Sequence, residues 1–61
     1  MNSNPIMKKS IESNNPEQLL EKVNKFIEEN EIKILDIKEI SWYQLDMGGV
    51  ITFFVNITYY S

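Results

Sequence analysis

The sequence predicts an α+β fold: a single β-α-β-β unit with one helix packed on a three-stranded mixed sheet. Three observations carry this. A helix start at Asn15-Pro16 leads into one apolar stripe of helical period. Residues 50–60 alternate, with Ile51, Phe53, Val55, Ile57 and Tyr59 forming a wholly apolar side. Between the helix and that run lies a second, less regular apolar stretch that ends at Asp46-Met47-Gly48-Gly49, a hairpin turn in which the glycines can take positive φ without steric cost.

Taken in order, residues 1–4 are polar and are expected to be a flexible terminus, leaving residues 5–61 as one small domain. Residues 5–11 can form a short strand, with Pro5 at its start, where a missing N–H is tolerated. Ser13-Asn14-Asn15-Pro16 opens the helix. Asn15 suits the N-cap, Pro16 the first helical position, and Gln18 the third position of a capping-box-like pattern. The helix is expected over residues 16–30, with Leu19, Leu20, Val23, Phe26 and Ile27 on one stripe and Asn30 in the left-handed C-terminal position. Glu21 and Lys25 have the spacing of an i, i+4 pair.

Residues 32–45 read as a long strand. Neither parity is cleanly apolar, so a bulge is expected between Lys38 and Ile40. The last strand is the most apolar and is expected at the centre of the sheet. A right-handed crossover then makes the first two strands parallel, with the third antiparallel between them, which is half of a ferredoxin-like sandwich.

Composition excludes several chemistries. The 61 residues contain no Cys, no His and, among the six cations, no Arg. Disulfides, thiolate nucleophiles, imidazole general bases and bidentate phosphate clamps are therefore absent. With the hydrolytic triads gone, a Ser–Lys dyad on Ser10 or Ser41 is the remaining nucleophilic arrangement, and nothing in the sequence places either beside a lysine of lowered pKa. The net charge of −3 argues against free DNA or RNA as a partner. No apolar run approaches the length of a membrane span, and the N-terminal residues lack a signal-peptide pattern, so a cytoplasmic protein is expected. A chain of this mass should expose roughly 4,100 Å² when folded and bury only about 60% of its unfolded surface. With no disulfide and no metal ligand set, oligomerisation is the remaining support for so small a core.

Residues 20–38, LEKVNKFIEENEIKILDIK, carry the pattern L-E-x-x-V-N-x-F, a short acidic link, then I-x-I-x-D-I-K. In this chain those positions are Leu20, Glu21, Val23, Asn24, Phe26, Ile32, Ile34, Asp36, Ile37 and Lys38. Together with the β-α-β-β order and the aromatic end ITFFVNITYY, this resembles the Cse-type small sporulation-associated proteins of spore-forming Firmicutes, relatives of which occur in prophages. The resemblance covers about a third of the chain well. It implies the fold and a sporulation setting; it implies no reaction and no catalytic residues. The N-terminal strand and the segment WYQLDMGG depart from the pattern, so a shared partner surface does not carry over. Nine Ile, seven Asn and six Lys, all with AT-rich codons, fit a low-GC bacterium or its phage.

Some residue groups remain to be weighed. Glu28, Glu29 and Glu31 cluster at the helix end, where a solvated acidic patch is favoured over a hard-cation site because no EF-hand-like spacing is present. Asp36 is expected inside the second strand as an edge charge that discourages aggregation. Gly48-Gly49 lacks the Lys and Ser/Thr of a phosphate loop and is a turn. Asn56-Ile57-Thr58 matches a glycosylation sequon by coincidence in a cytosolic strand.

The aromatic residues are concentrated in the last two strands. Phe53 and Tyr59 are expected in the core, while Trp42, Phe54 and Tyr60, with Ile40 and Val50, are expected on the sheet face opposite the helix as an assembly interface. The expected function is a small non-enzymatic interaction protein that acts as a homo-oligomer through that aromatic face, with no cofactor and no metal. The alternative is a phage- or prophage-encoded inhibitor of a host protein, or a sponge for a small signalling nucleotide.

Overall fold

The structure, a computed structural model, describes residues 5–61. The flexible terminus expected over residues 1–4 lies outside the described residues. The elements are β1 (Ile6–Ser13), α1 (Pro16–Glu29), a 3₁₀ turn (Ile34–Asp36), β2 (Ile37–Met47) and β3 (Val50–Tyr60). The strand order is β1-β3-β2, with β3 central as expected. Both pairings are antiparallel, so the sheet is antiparallel rather than mixed. The parallel strands, β1 and β2, are separated by β3 and never bond to each other.

Helix α1 starts at a side-chain cap. Asn15 Oδ1 accepts from the backbone N–H of Glu17 at 2.8 Å and of Gln18 at 3.2 Å. The return arm of the capping box is indirect. Asn15 N–H donates to Ser13 Oγ at 3.2 Å, and that hydroxyl donates to Gln18 Oε1 at 2.8 Å. This relay explains why Ser13 is one of the few buried polar residues, and why β1 runs two residues beyond the expected end at Ile11.

The other end of α1 differs from the expectation. Asn30 has φ −97°, and the left-handed position falls on Glu31, at φ 51°. Ile32 N–H donates to Ile27 O at 3.0 Å and Glu31 N–H to Glu28 O at 3.1 Å, which is a Schellman closure. Asn30 contributes instead through its side chain, with Nδ2 donating to Phe26 O at 2.8 Å.

The long strand expected from Ile32 begins only at Ile37. The central strand β3 ends at Tyr60, and its partners run out at Ile37 opposite Tyr59, so residues 32–36 have nothing to pair with and close into the 3₁₀ turn. Asp36 is therefore a turn residue and not a strand residue. The expected bulge is present. Ile37 faces Tyr59 and Glu39 faces Thr58, leaving Lys38 as the extra residue. The bulge reverses the parity of β2, so that Ile37 and Ile40 both point to the helix side. At the other end Gly48 and Gly49, with φ 67° and 88°, make a two-residue turn of the primed type. Asp46 Oδ1 accepts from Gly49 N–H at 2.8 Å and braces it.

The core consists of Ile11, Leu19, Val23, Val55 and Ile57, with Phe26, Ile27, Phe53 and Tyr59 packed around it. Phe26 meets Tyr59 edge to face, with ring centroids 5.9 Å apart. Lys9 spans the same surface, its ammonium 5.6 Å from the centre of the Phe26 ring. The core is small because the helix is short. Fourteen residues reach about 21 Å, whereas the eleven residues of β3 reach about 36 Å. The helix lies over β1 and β3 and leaves β2 uncovered. Since β1 ends at Ser13 opposite Phe53, residues 45–52 extend past it as a two-stranded overhang.

Candidate functional site

The register of the β2–β3 hairpin decides which side chains share a face. A two-residue turn pairs Met47 with Val50, so even-numbered residues of β2 sit opposite odd-numbered residues of β3. Trp42 faces Val55, Ile40 faces Ile57 and Gln44 faces Phe53; all lie on the helix side of the sheet. Tyr43 faces Phe54 on the open side, and the two rings stack with centroids 4.9 Å apart and planes 6° from parallel.

This corrects the face expected to hold the interface. Trp42 and Ile40 are on the same side as the helix, while Val50, Phe54 and Tyr60 are on the open side. The five residues do not form one patch. Even on the open side, Phe54 and Tyr60 are six residues apart along one strand, about 20 Å. Between them lies a polar stretch with Lys8, Ser10, Ser41, Asn56 and Thr58.

On the helix side, the gap between α1 and β2 is an apolar groove of about 410 Å³. Pro16, Leu19 and Leu20 line it from the helix and Trp42, Gln44 and Phe53 from the sheet. Leu20 belongs to the apolar stripe of the helix yet is 50% exposed, and Trp42 is 53% exposed, because nothing among the described residues fills the space between them. Beyond the end of β1, the overhang carries Leu45, Met47, Val50 and Ile51, all about half exposed. Ile34 and Leu35 protrude from the 3₁₀ turn at 86% and 94% exposure. Apolar surface on this scale, on both faces of one hairpin, is what partners cover.

The described charged side chains bond to the backbone, to one another or stand in solvent. Lys22 Nζ donates to Glu12 O at 3.0 Å, tying the helix to the end of β1. Lys25 pairs with Glu29 at 3.8 Å in the open, rather than with Glu21 as the spacing alone allowed. Among the described residues no three carboxylates converge as a metal site would need, and Glu28, Glu29 and Glu31 spread around the helix end. Among the described residues no helix is long and apolar enough to cross a membrane.

Of the residues expected on the interface, Trp42, Ile40 and Val50 are exposed and Phe54 and Tyr60 only partly so, while the exposed Leu20 and Tyr43 were not among them. Leu20 could not be found from periodicity, because it sits on the stripe and is exposed only through the short reach of the sheet contact. The Tyr43 pairing follows from counting back through Gly48-Gly49. No protein-family model matches the chain, and neither does any curated protein or solved structure.

Proposed function

We propose that this chain is a small non-enzymatic interaction protein that acts as a homo-oligomer. Its assembly surface is the apolar hairpin half of the sheet, with Trp42 and Ile40 on one side and Phe54 and Val50 on the other. The observation that carries this reading is the uncovered hairpin, in which one short helix leaves aromatic and aliphatic side chains exposed on both faces of the same two strands.

Sedimentation equilibrium over a hundredfold range of concentration tests this proposal. The expected result is a species of at least two chains that dissociates only at the lowest loading. A folded species of 7.2 kDa at every loading would refute it.

One feature favours a second reading, sequestration of a small nucleotide. On the open face Lys8, Ser10, Ser41, Asn56 and Thr58 surround a shallow depression of about 470 Å³, which offers an ammonium, hydroxyls and an amide to a phosphate or base. Glu39 at its rim opposes an anion. A retained ligand of a few hundred daltons per site would support it. An inhibitor of a host protein would use the apolar hairpin instead, and capture of one defined partner at fixed stoichiometry would support that. The setting we propose is the cytosol of a low-GC bacterium, in sporulation or in conflict between phage and host.

A further inference from the structure

We propose that two copies join edge to edge through β2, antiparallel about a two-fold axis at Trp42, to form one six-stranded sheet in the order β1-β3-β2-β2-β3-β1. This inference rests on the homo-oligomer reading and names the surface and the partner, a second copy of this chain.

Among the described residues the sheet has two free edges, and they are not equivalent. Edge β1 carries Lys8-Lys9 and Glu12 in eight residues and is preceded by Pro5, the features that keep an edge from pairing. Edge β2 runs from Ile40 to Leu45 as Ile-Ser-Trp-Tyr-Gln-Leu, with no charge, no proline and no glycine. It is flanked by Lys38-Glu39 on one side and Asp46 on the other.

Charge then fixes the register. Antiparallel pairing about a two-fold axis places residues opposite each other when their numbers have a constant, even sum. With the axis at Trp42, Trp42 meets the partner's Trp42, Ile40 meets the partner's Gln44 and Glu39 the partner's Leu45, so that the bulged Lys38 lies where the regular ladder ends, near the partner's Asp46. Moving the axis to Tyr43 sets Ile40 against the partner's Asp46 and Glu39 against the partner's Met47. Moving it to Ser41 carries Asp46 past Ile37, where the partner's β2 begins, and leaves it away from Lys38. Only the Trp42 register sets unlike charges against each other and keeps the uncharged run on itself.

The same arrangement accounts for two features that a single chain leaves unexplained. The first is the overhang. Residues 45 and 46 have only β3 as a neighbour within the chain, and in the pair they gain the base of the partner's β2, so each copy supports the other's projecting hairpin. The second is the groove. Each helix stops short of β2, so the strip Ile40, Trp42, Gln44 of one copy adjoins that of the other, and the two grooves merge into one apolar trough floored by both tryptophans and walled by both helices.

The test uses the absence of cysteine in the native chain. Ser41→Cys, Trp42→Cys, Tyr43→Cys and Gln44→Cys are made singly in the full chain and exposed to mild oxidant. The Trp42→Cys variant is expected to cross-link at least tenfold faster than the other three, since only at the axis does a residue face its own copy within the ~4.4–6.8 Å between Cα atoms that a disulfide spans. The double variant Ile40→Cys/Gln44→Cys keeps the tryptophan and is expected to give a doubly linked dimer. The charge reversal Lys38→Asp should weaken association about tenfold, with two pairs lost per dimer, and Lys38→Asp/Asp46→Lys should restore it.

Sedimentation of the unmodified chain separates the two levels of failure. A dimer whose cross-linking peaks at another position, or whose charge reversal is silent, overturns the β2 edge and leaves the homo-oligomer reading standing. A folded monomer at all concentrations overturns both.

Discussion

Glu31 is a point where the fold is held against its own preferences, and replacing it gives a prediction with a calculable size. It occupies the left-handed position that closes α1, at φ 51°, where Schellman closures usually place glycine. A non-glycine residue there costs about 1–2 kcal/mol. Glycine removes that cost but gives back about 0.5–1 kcal/mol through its freer unfolded state. The Glu31 carboxylate also lies at the negative end of the helix beside Glu28 and Glu29, with no basic residue in the last turn; removing a charge of the wrong sign is worth about 0.3–1 kcal/mol. The net expectation for Glu31→Gly is a stabilisation of about 1 kcal/mol, or about 4–8 °C in Tm for a domain of this size. Thermal unfolding followed by far-ultraviolet circular dichroism measures it, with wild type and variant at one concentration because association shifts Tm. Glu31→Gln separates the terms. It should recover only the electrostatic part, and that gain should vanish at 1 M salt. A lower Tm for Glu31→Gly would mean that the carboxylate has a partner the isolated chain lacks, and the account of this helix end would be wrong.

Other substitutions probe the remaining supports. Asn15→Ala removes the acceptor for two helix N–H groups and should cost about 1 kcal/mol, read as a fall in urea midpoint with unchanged slope. Gly49→Ala meets no neighbouring atom, so any loss comes from the backbone at φ 88° alone; about 1 kcal/mol is expected by the same titration. Phe54→Asp removes the ring stacked on Tyr43 and Trp42→Asp removes the exposed indole on the other face; each should weaken self-association at least tenfold by sedimentation, and Phe54→Asp should in addition cost about 2 kcal/mol of fold stability. Unchanged association in both variants would contradict the assignment of the hairpin as the assembly surface.

The element order was legible because each signal in the sequence was local. Asn15-Pro16 marks the helix start whatever surrounds it, and Gly48-Gly49 marks the turn. The strict alternation of β3 placed Phe53, Val55, Ile57 and Tyr59 on one apolar face and made β3 the central strand; Val55 and Ile57 are the buried centre, whereas Phe53 and Tyr59, expected in the core, are partly buried around it. The bulge at Lys38 was legible as a conflict between two parities within one strand.

What failed was decided by non-local lengths. Residues 32–36 alternate like a strand, but the end of β3 leaves them unpaired, and no property of Ile34 or Leu35 carries that information. Trp42 lies on the helix side and not with Phe54, because the two-residue turn makes opposite residues sum to an odd value and sets Trp42 against Val55. The exposure of Leu20 depends on a helix of 14 residues lying over two of three strands, which only packing determines. The left-handed position passed from Asn30 to Glu31 because the Asn30 side chain caps Phe26 O from a near-helical backbone.

Native mass spectrometry of the protein purified from its own host lysate tests the central claim most directly, because it reports assembly mass and bound ligand together. The account predicts a symmetric assembly built from 7.2 kDa chains, a dimer in its simplest form, with no added mass. A bare, stable monomer would contradict it, and would mean that the apolar hairpin of Trp42, Leu45 and Val50 is tolerated in water by a chain with very little core to spare.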